Sequence, residues 1–129
     1  MECDRILYGW SEAVMDHYTQ AIHDYKEGVG AFQQMSPDFT RAYNEFTGVS
    51  FAEGMISQKD KQLIALGVSL ASQDEYCILY HTMEALHKGA SEQEIYETLQ
   101  VAAALRGGSA FSQLPLVQGA LKEFSNRVQ

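Results

Sequence analysis

Large apolar residues recur every three or four positions along most of this 129-residue chain, and this spacing constrains its fold more than any other feature. Residues spaced in this way lie on one side of an α-helix and can be buried together. No stretch shows the alternation of apolar and polar residues that is typical of a half-buried strand. The sequence therefore predicts an all-α protein. The first predicted helix has Trp10, Val14, Tyr18, Ile22, Tyr25, Val29 and Phe32 on one side.

Start and stop signals divide this pattern into helices. The first helix is predicted to end near Gln34, and the pair Ser36-Pro37 to open a second helix that runs to about Phe51. Residues 57–60, Ser-Gln-Lys-Asp, resemble a capping box and begin a third helix, which is apolar on most faces and so is expected to be central.

Three more helices are predicted in the second half of the chain. The fourth begins near Asp74 and ends at Lys88-Gly89, where a basic residue and a glycine are good stop signals. Residues 91–94, Ser-Glu-Gln-Glu, form a full capping box for a fifth helix that ends before Gly107-Gly108. The last helix, about residues 109–127, is expected to bend or restart at Pro115.

Composition narrows the class of protein. A chain of 129 residues without a linker or an internal repeat predicts a single domain over residues 1–129, and two cysteines are too few for a disulfide scaffold. The formal net charge of -8 argues against nucleic-acid and membrane partners. No apolar run approaches ~20 residues, and the start of the chain is acidic where a signal peptide would be basic. We expect a cytoplasmic protein with reduced thiols.

The fourth helix carries the side chains that are best suited to catalysis. A helical wheel places Asp74, Cys77, His81 and Glu84 on one side of it. Cys77 lies in the first turn, where the helix dipole favours a thiolate, and His81 follows one turn later, so together they should lower the pKa of the thiol. Asp74 should raise that pKa, because a nearby negative charge disfavours a second one. Which effect is larger stays open.

Other interpretations of this helix compete with a reactive thiol. A lone cysteine is often only a small apolar residue. The residue types of the same polar side can bind zinc or iron, but one helix face seldom offers more than two ligands, so neither a metal nor another cofactor is predicted.

Cys77 should face a cleft or a neighbouring subunit, flanked by Ile78 and Ala85. The opposite side, which includes Tyr76 and His87, is expected to face the core.

Two segments carry a family resemblance. The stretch KQLIALGVSLASQDEYCILYH at 61–81, followed by EALHKGASEQEI at 84–95 and a helix ending in Gly107-Gly108, resembles the carboxymuconolactone decarboxylase and alkylhydroperoxidase D superfamily. The similarity covers about residues 55–112. It implies an AhpD-like all-α fold of antiparallel helices that assembles into homotrimers or homohexamers in the cytoplasm.

The redox branch of that family has a glutamate followed by Cys-x-x-Cys-x-x-x-His. Matched residue by residue, Cys77 takes the place of the second cysteine and His81 that of the histidine, whereas Asp74 replaces the first cysteine and Gln62 the glutamate. The resemblance implies a peroxidase-type thiol oxidoreductase with these four site residues and a single activated cysteine. A peroxide would oxidise Cys77 to a sulfenic acid, and an external thiol, a lipoyl-type reductant or Cys3 would resolve it.

Two alternatives stay open. The decarboxylase branch of the family implies a lyase that acts on a small dicarboxylate lactone. Such a substrate needs cationic anchors, and Arg41 and Arg106 are the only arginines away from the chain ends. The second alternative is a non-catalytic oligomeric binding protein that kept the fold and lost the reaction.

Overall fold

The computed structural model describes the backbone of residues 2–128 and the side chains of residues 17–125, and every regular element in that part of the chain is an α-helix. The all-α prediction is therefore confirmed. Among the described residues, no helix is both long enough and apolar enough to cross a bilayer. The helices are α1 (Glu2–Met35), α2 (Pro37–Phe51), α3 (Gln58–Ser72), α4 (Glu75–His87), α5 (Glu92–Arg106), α6 (Gly108–Phe111) and α7 (Leu114–Val128).

Local capping signals set the ends of these helices as the sequence predicts. The Ser57 side chain accepts a hydrogen bond from the backbone of Asp60 at the start of α3. The capping box of α5 is complete, since Ser91 and Glu94 each bond the backbone of the other. Each bond occupies a backbone donor that the first helical turn leaves unpaired. Pro115 lies in the first turn of α7, so the predicted restart near this proline is confirmed.

The core lies between α4 and the helices around it. Consecutive helices are joined by short connections, and α4 packs against α3, α7 and α1, while α3 also packs against α5. Burying one large aliphatic side chain contributes about 1.5–3 kcal/mol, so this cluster is a main source of stability. Its largest fully buried members are Leu66, Leu70, Ile78, Leu79, Ile95, Val117 and Thr82.

Helices α3 and α4 both pack against several helices, but α4 buries more of its residues. The expectation that α3 is central holds for one side of this helix only, because Ile64 and Val68 are 55% and 62% exposed, respectively. These two residues face away from α4, along a groove between α3 and α5.

The orientation expected for α4 also needs correction. Ile78 and Ala85 are completely buried within the chain, whereas Tyr76 is 44% exposed and His87 is exposed. The buried arc is rotated from the predicted one because α3 and α7 both cover the helix. Cys77 is left at the edge of this arc, half-buried rather than fully turned away from the core.

Only part of α1 belongs to the core. Tyr18, Ala21 and Ile22 are buried against the rest of the chain, but residues 23–35 of α1 are all exposed. Helix α2 is exposed along most of its length and buries only Thr40. Residues 23–51 therefore form a two-helix arm that extends from the core, and this arm passes the beginning of α4.

Candidate functional site

Asp74 and Cys77 form the first half of the site, at the start of α4. Asp74 is the N-cap of this helix, and its Oδ1 accepts a hydrogen bond of 3.1 Å from the backbone N–H of Cys77. The Asp74 carboxylate also lies near enough to the Cys77 thiol to raise its pKa. The residue that replaces a cysteine in the family pattern thus caps the helix and places a negative charge beside the remaining thiol.

The thiol of Cys77 is protonated at neutral pH. Burial raises its pKa from the usual 9.0 to about 11, and the negative charge of Asp74 acts in the same direction. The hydroxyl of Ser69 in α3, which donates to the carbonyl of Ala65, opposes this rise, but its effect is smaller. The sequence leaves open which of the opposing effects is larger, and in the structure the effects that raise the thiol pKa prevail. Loss of solvent and a neighbouring carboxylate outweigh the helix dipole.

Gln62 and His81 form the second half of the site. Gln62 lies on α3 with only 7% of its surface exposed, and its Oε1 is 2.7 Å from Nδ1 of His81. With the amide oxygen as acceptor, Nδ1 carries the imidazole proton and Nε2 keeps its lone pair. Burial lowers the pKa of His81, so the ring is neutral at pH 7 and Nε2 is able to accept a proton.

Aromatic rings enclose His81. The ring of Phe51, at the end of α2, stacks on the imidazole with a centroid distance of 5.7 Å and an interplanar angle of 14°. The edge of Tyr80 meets the same imidazole at 5.2 Å. These rings exclude water from the imidazole, which is the cause of its lowered pKa. The spacing in the sequence marks Phe51 only as an apolar residue of its helix, and nothing there indicates that it meets His81.

A third aromatic group packs against the first turn of α4. Tyr25 in α1 contacts the ring of Tyr76 at a centroid distance of 6.0 Å. Electrostatic interactions also connect Tyr25 with Cys77, with Asp74 and with Tyr43 of α2. The sequence assigns Tyr25 only to the apolar stripe of the first helix, because a single sequence does not reveal which helices become neighbours.

All four predicted site residues are thus brought together, as an Asp74–Cys77 pair and a Gln62–His81 pair. The two pairs are coupled, because the negative charge of Asp74 acts on His81. Cys3, the second cysteine of the chain, lies outside the residues whose side chains are described.

Side chains of the types that bind metals do not cluster at this site in the part of the chain that the structure describes. Among the described side chains, the one cluster of three such residues with ligand atoms within 4.8 Å of one another is His23, Asp24 and Glu27, on the exposed surface of α1. The predicted site supplies no such cluster.

The charges near His81 are negative. Glu84 and Asp74 both act on the imidazole, whereas Arg41 pairs with Asp38 on the surface of α2. Arg106 lies in the last turn of α5, at the groove between α3 and α5. Neither arginine is among the charges that act on His81, and a site of this kind suits a neutral substrate better than a dianionic one.

Known proteins resemble this chain over most of its helical core. The model of the carboxymuconolactone decarboxylase family matches residues 37–116. A Paracoccus denitrificans protein described as uncharacterized protein 4 in the cox locus is 37% identical over 71 residues, which are 55% of this chain and 64% of that protein. The chain thus spans less than two thirds of this relative. A Cupriavidus necator protein, also described as uncharacterized, is 27% identical over 79 residues, 61% of this chain and 70% of its own.

Solved structures share the fold. A carboxymuconolactone decarboxylase family protein from Legionella pneumophila superposes with a TM-score of 0.77 and 24% identity, covering 88% of this chain and 99% of that chain. A family member from Thermotoga maritima, suggested to take part in an antioxidative response, gives a TM-score of 0.73 and 22% identity over 84% of this chain and 96% of its own. Identities this low establish similarity of fold and nothing finer.

Proposed function

The chain belongs to the carboxymuconolactone decarboxylase family, and on this premise we propose that it is an AhpD-like thiol oxidoreductase that reduces hydroperoxides with the single thiol of Cys77. The observation that supports this proposal most is the placement of the Cys77 thiol in the first turn of α4, beside the Asp74 carboxylate that caps this turn and one turn before a neutral His81. A nucleophile beside a carboxylate, with a second base nearby, is an arrangement that can activate a thiol during reaction.

The first half-reaction starts from the protonated thiol. Asp74 takes the thiol proton as the sulfur of Cys77 attacks the terminal oxygen of the hydroperoxide. Nε2 of His81 accepts a hydrogen bond from the hydroperoxide O–H and orients that oxygen, while Gln62 holds the imidazole through Nδ1. The S–O bond forms, the O–O bond breaks, and the leaving oxygen takes up a proton to give an alcohol. The sulfur is oxidised by two electrons to a sulfenic acid.

The second half-reaction regenerates the thiol. Asp74 cannot form a disulfide with Cys77, so the sulfenic acid must be resolved by an external thiol, by a lipoyl-type dithiol or by Cys3. The incoming sulfur bonds the sulfur of Cys77 and the S–O bond breaks to release water. A second thiol then reduces the mixed disulfide. We place this cycle in the cytoplasm, where reducing thiols are abundant.

Trapping of the sulfenic acid tests this function. The protein is treated with stoichiometric cumene hydroperoxide and a sulfenic-acid trap, and the adduct is located by peptide mass spectrometry. We expect the label on Cys77, and Cys3→Ser to be labelled as fast as the wild type. Labelling confined to Cys3, or no labelling, would overturn the proposal.

A lyase is the second candidate, and the state of His81 favours it. A neutral imidazole with a free Nε2 beside a protonated thiol could act as a base toward a carbon acid such as a lactone. The negative charges around His81 disfavour a dicarboxylate. Carbon dioxide release from a carboxymuconolactone that persists in Cys77→Ser would support the lyase and contradict thiol chemistry. A protein with neither reaction would be a binding protein that keeps only the fold.

We also propose that the chain acts as a homo-oligomer, a homotrimer or homohexamer. Support comes from exposed apolar side chains on the arm and on the groove between α3 and α5, because a monomeric protein rarely exposes apolar patches of this extent. The most exposed on the arm are Met35, Phe39, Phe46 and Val49, and those at the groove are Ile64, Val68, Val101 and Leu105.

A further inference from the structure

Helix α1 crosses the first turn of α4, the turn that contains Cys77. Two contacts along α1 fix this crossing. His17 Nε2 lies 3.0 Å from Oε1 of Glu75, and eight residues later the ring of Tyr25 packs against Tyr76 at 6.0 Å. Glu75 and Tyr76 are the two residues between the cap and the cysteine in the sequence. The side of α1 that carries Tyr25 therefore faces the Asp74–Cys77 pair.

The hydroxyl of Tyr25 belongs to the same electrostatic cluster as the thiol. It interacts with Cys77 and Asp74 on α4 and with Tyr43 on α2, and Tyr25 in turn acts on the hydroxyl of Tyr80. Tyr25 is 47% exposed, so a small molecule in solvent can reach this residue.

This phenol keeps its proton under physiological conditions. Burial raises the pKa of Tyr25 above its usual 10.0, and the charges of Tyr43, Cys77 and Asp74 raise it further. Near the thiol the site therefore offers one carboxylate that accepts a proton and one hydroxyl that can give a proton away. The mechanism described above uses only the acceptor.

We propose that Tyr25 is the proton donor to the leaving oxygen of the hydroperoxide, a role that rests on the proposed function and completes its first step. When the sulfur of Cys77 bonds the terminal oxygen and the O–O bond breaks, the other oxygen leaves as an alkoxide. The phenol proton of Tyr25 passes to that alkoxide and forms the alcohol. The proton that Asp74 took from the thiol returns to the phenolate, directly or through water, so that charge and protons balance.

A comparison of two leaving groups tests this role. Alkyl hydroperoxides expel an alkoxide, which is a strong base, whereas a peroxy acid expels a carboxylate that is stable unprotonated at neutral pH. The rate of Cys77 oxidation is measured with cumene hydroperoxide and with peracetic acid in the wild type and in Tyr25→Phe. Tyr96→Phe, the same change on a partly buried tyrosine of α5, is the matched control.

We expect Tyr25→Phe to lower the rate with cumene hydroperoxide by roughly tenfold or more, as loss of a general acid does, and to change the rate with peracetic acid little. Alkylation of Cys77 by iodoacetamide, which needs no proton donor, should also change little and shows that the site is intact. Tyr96→Phe should match the wild type with both oxidants.

Two results would overturn the role of Tyr25 while leaving the proposed function in place. An equal loss of rate with both oxidants would mean that Tyr25 only shapes the site, and an unchanged rate with both would mean that it takes no part. A wild-type protein whose Cys77 reacts with neither oxidant would overturn the proposed function itself, and this role with it.

Discussion

Cys77 differs from a typical reactive cysteine because its surroundings favour the protonated thiol. With a pKa of about 11, only about one molecule in ten thousand carries the thiolate at pH 7. A reaction at neutral pH must therefore remove the proton during the attack, and in the proposed mechanism the neighbouring carboxylate of Asp74 accepts it. Gln62 cannot carry a proton, but its amide oxygen binds Nδ1 of His81 and thereby leaves Nε2 free.

Replacing Asp74 by asparagine should make the thiol more acidic. The change removes the negative charge and the carboxylate acceptor, while asparagine still caps α4. Burial remains, so the pKa of Cys77 should fall only part of the way from about 11 toward 9.0. Alkylation by iodoacetamide near pH 8 should accelerate by roughly tenfold, the effect of one pKa unit. A pH profile that is unchanged or displaced upward would contradict the assigned cause of the raised pKa.

Replacing His81 by alanine should slow the oxidation of Cys77 by cumene hydroperoxide by roughly tenfold or more, because the acceptor for the hydroperoxide O–H is lost. Added imidazole should restore part of the rate. His87→Ala is the control, since His87 lies on the same helix but is exposed and bonds Glu84. An equal rate in His81→Ala and the wild type would contradict the role given to His81.

At the level of helices, local sequence signals were sufficient to predict most helix boundaries. They were not sufficient to predict how helices distant in the sequence pack together. The capping box of α5 and the restart near Pro115 depend on residues within one or two turns, so the sequence predicts them correctly. The burial of α4 depends on α3 and α7, which lie far away in the sequence, so the predicted orientation of Ile78 was wrong. The packing of Tyr25 against the first turn of α4 was missed for the same reason.

The packing of α1 against α7 provides a test at this scale. A Cβ atom at Gly119 would lie 1.8 Å from Cε2 of the buried Tyr18, whose hydroxyl donates to the carbonyl of Pro115 at 3.3 Å. Gly119→Ala should therefore lower the free energy of unfolding by about 1–3 kcal/mol in urea titrations, the cost of overpacking.

Gly48 in α2 is the matched control for this substitution. An added Cβ meets nothing within 4 Å there, so Gly48→Ala should raise the free energy of unfolding by about 0.5–1 kcal/mol through helix propensity. The same loss of stability in both variants would show that α1 and α7 do not meet as described.

At the level of the whole molecule, the exposed apolar surface of the arm is the feature least expected of a monomeric protein. Residues 23–51 pack little against the core, yet they carry large apolar side chains toward solvent. The same arm supplies Tyr25, Tyr43 and Phe51 to the site. If other copies of the chain cover the arm, assembly and the geometry around Cys77 are coupled.

We expect the wild-type protein to be an oligomer in light scattering at micromolar concentration. Phe46 is 69% exposed on the arm, and Phe46→Glu should shift the population toward smaller species, because a buried charge at an interface is costly. Gln118→Glu adds the same charge to an exposed position of α7 and should leave the mass unchanged. A monomeric wild type would contradict the proposed assembly.

The central claim is that Cys77 reacts from its protonated state with its proton passing to Asp74, and the pH dependence of its oxidation tests this most directly. Rates of Cys77 oxidation by cumene hydroperoxide and of alkylation by iodoacetamide are measured between about pH 6 and pH 9 in the Cys3→Ser protein. Alkylation should rise about tenfold with each pH unit, since it requires free thiolate, whereas oxidation should stay nearly constant because the reacting species is the protonated thiol, which persists throughout this range. Oxidation that rises in parallel with alkylation, or that does not occur, would contradict the claim.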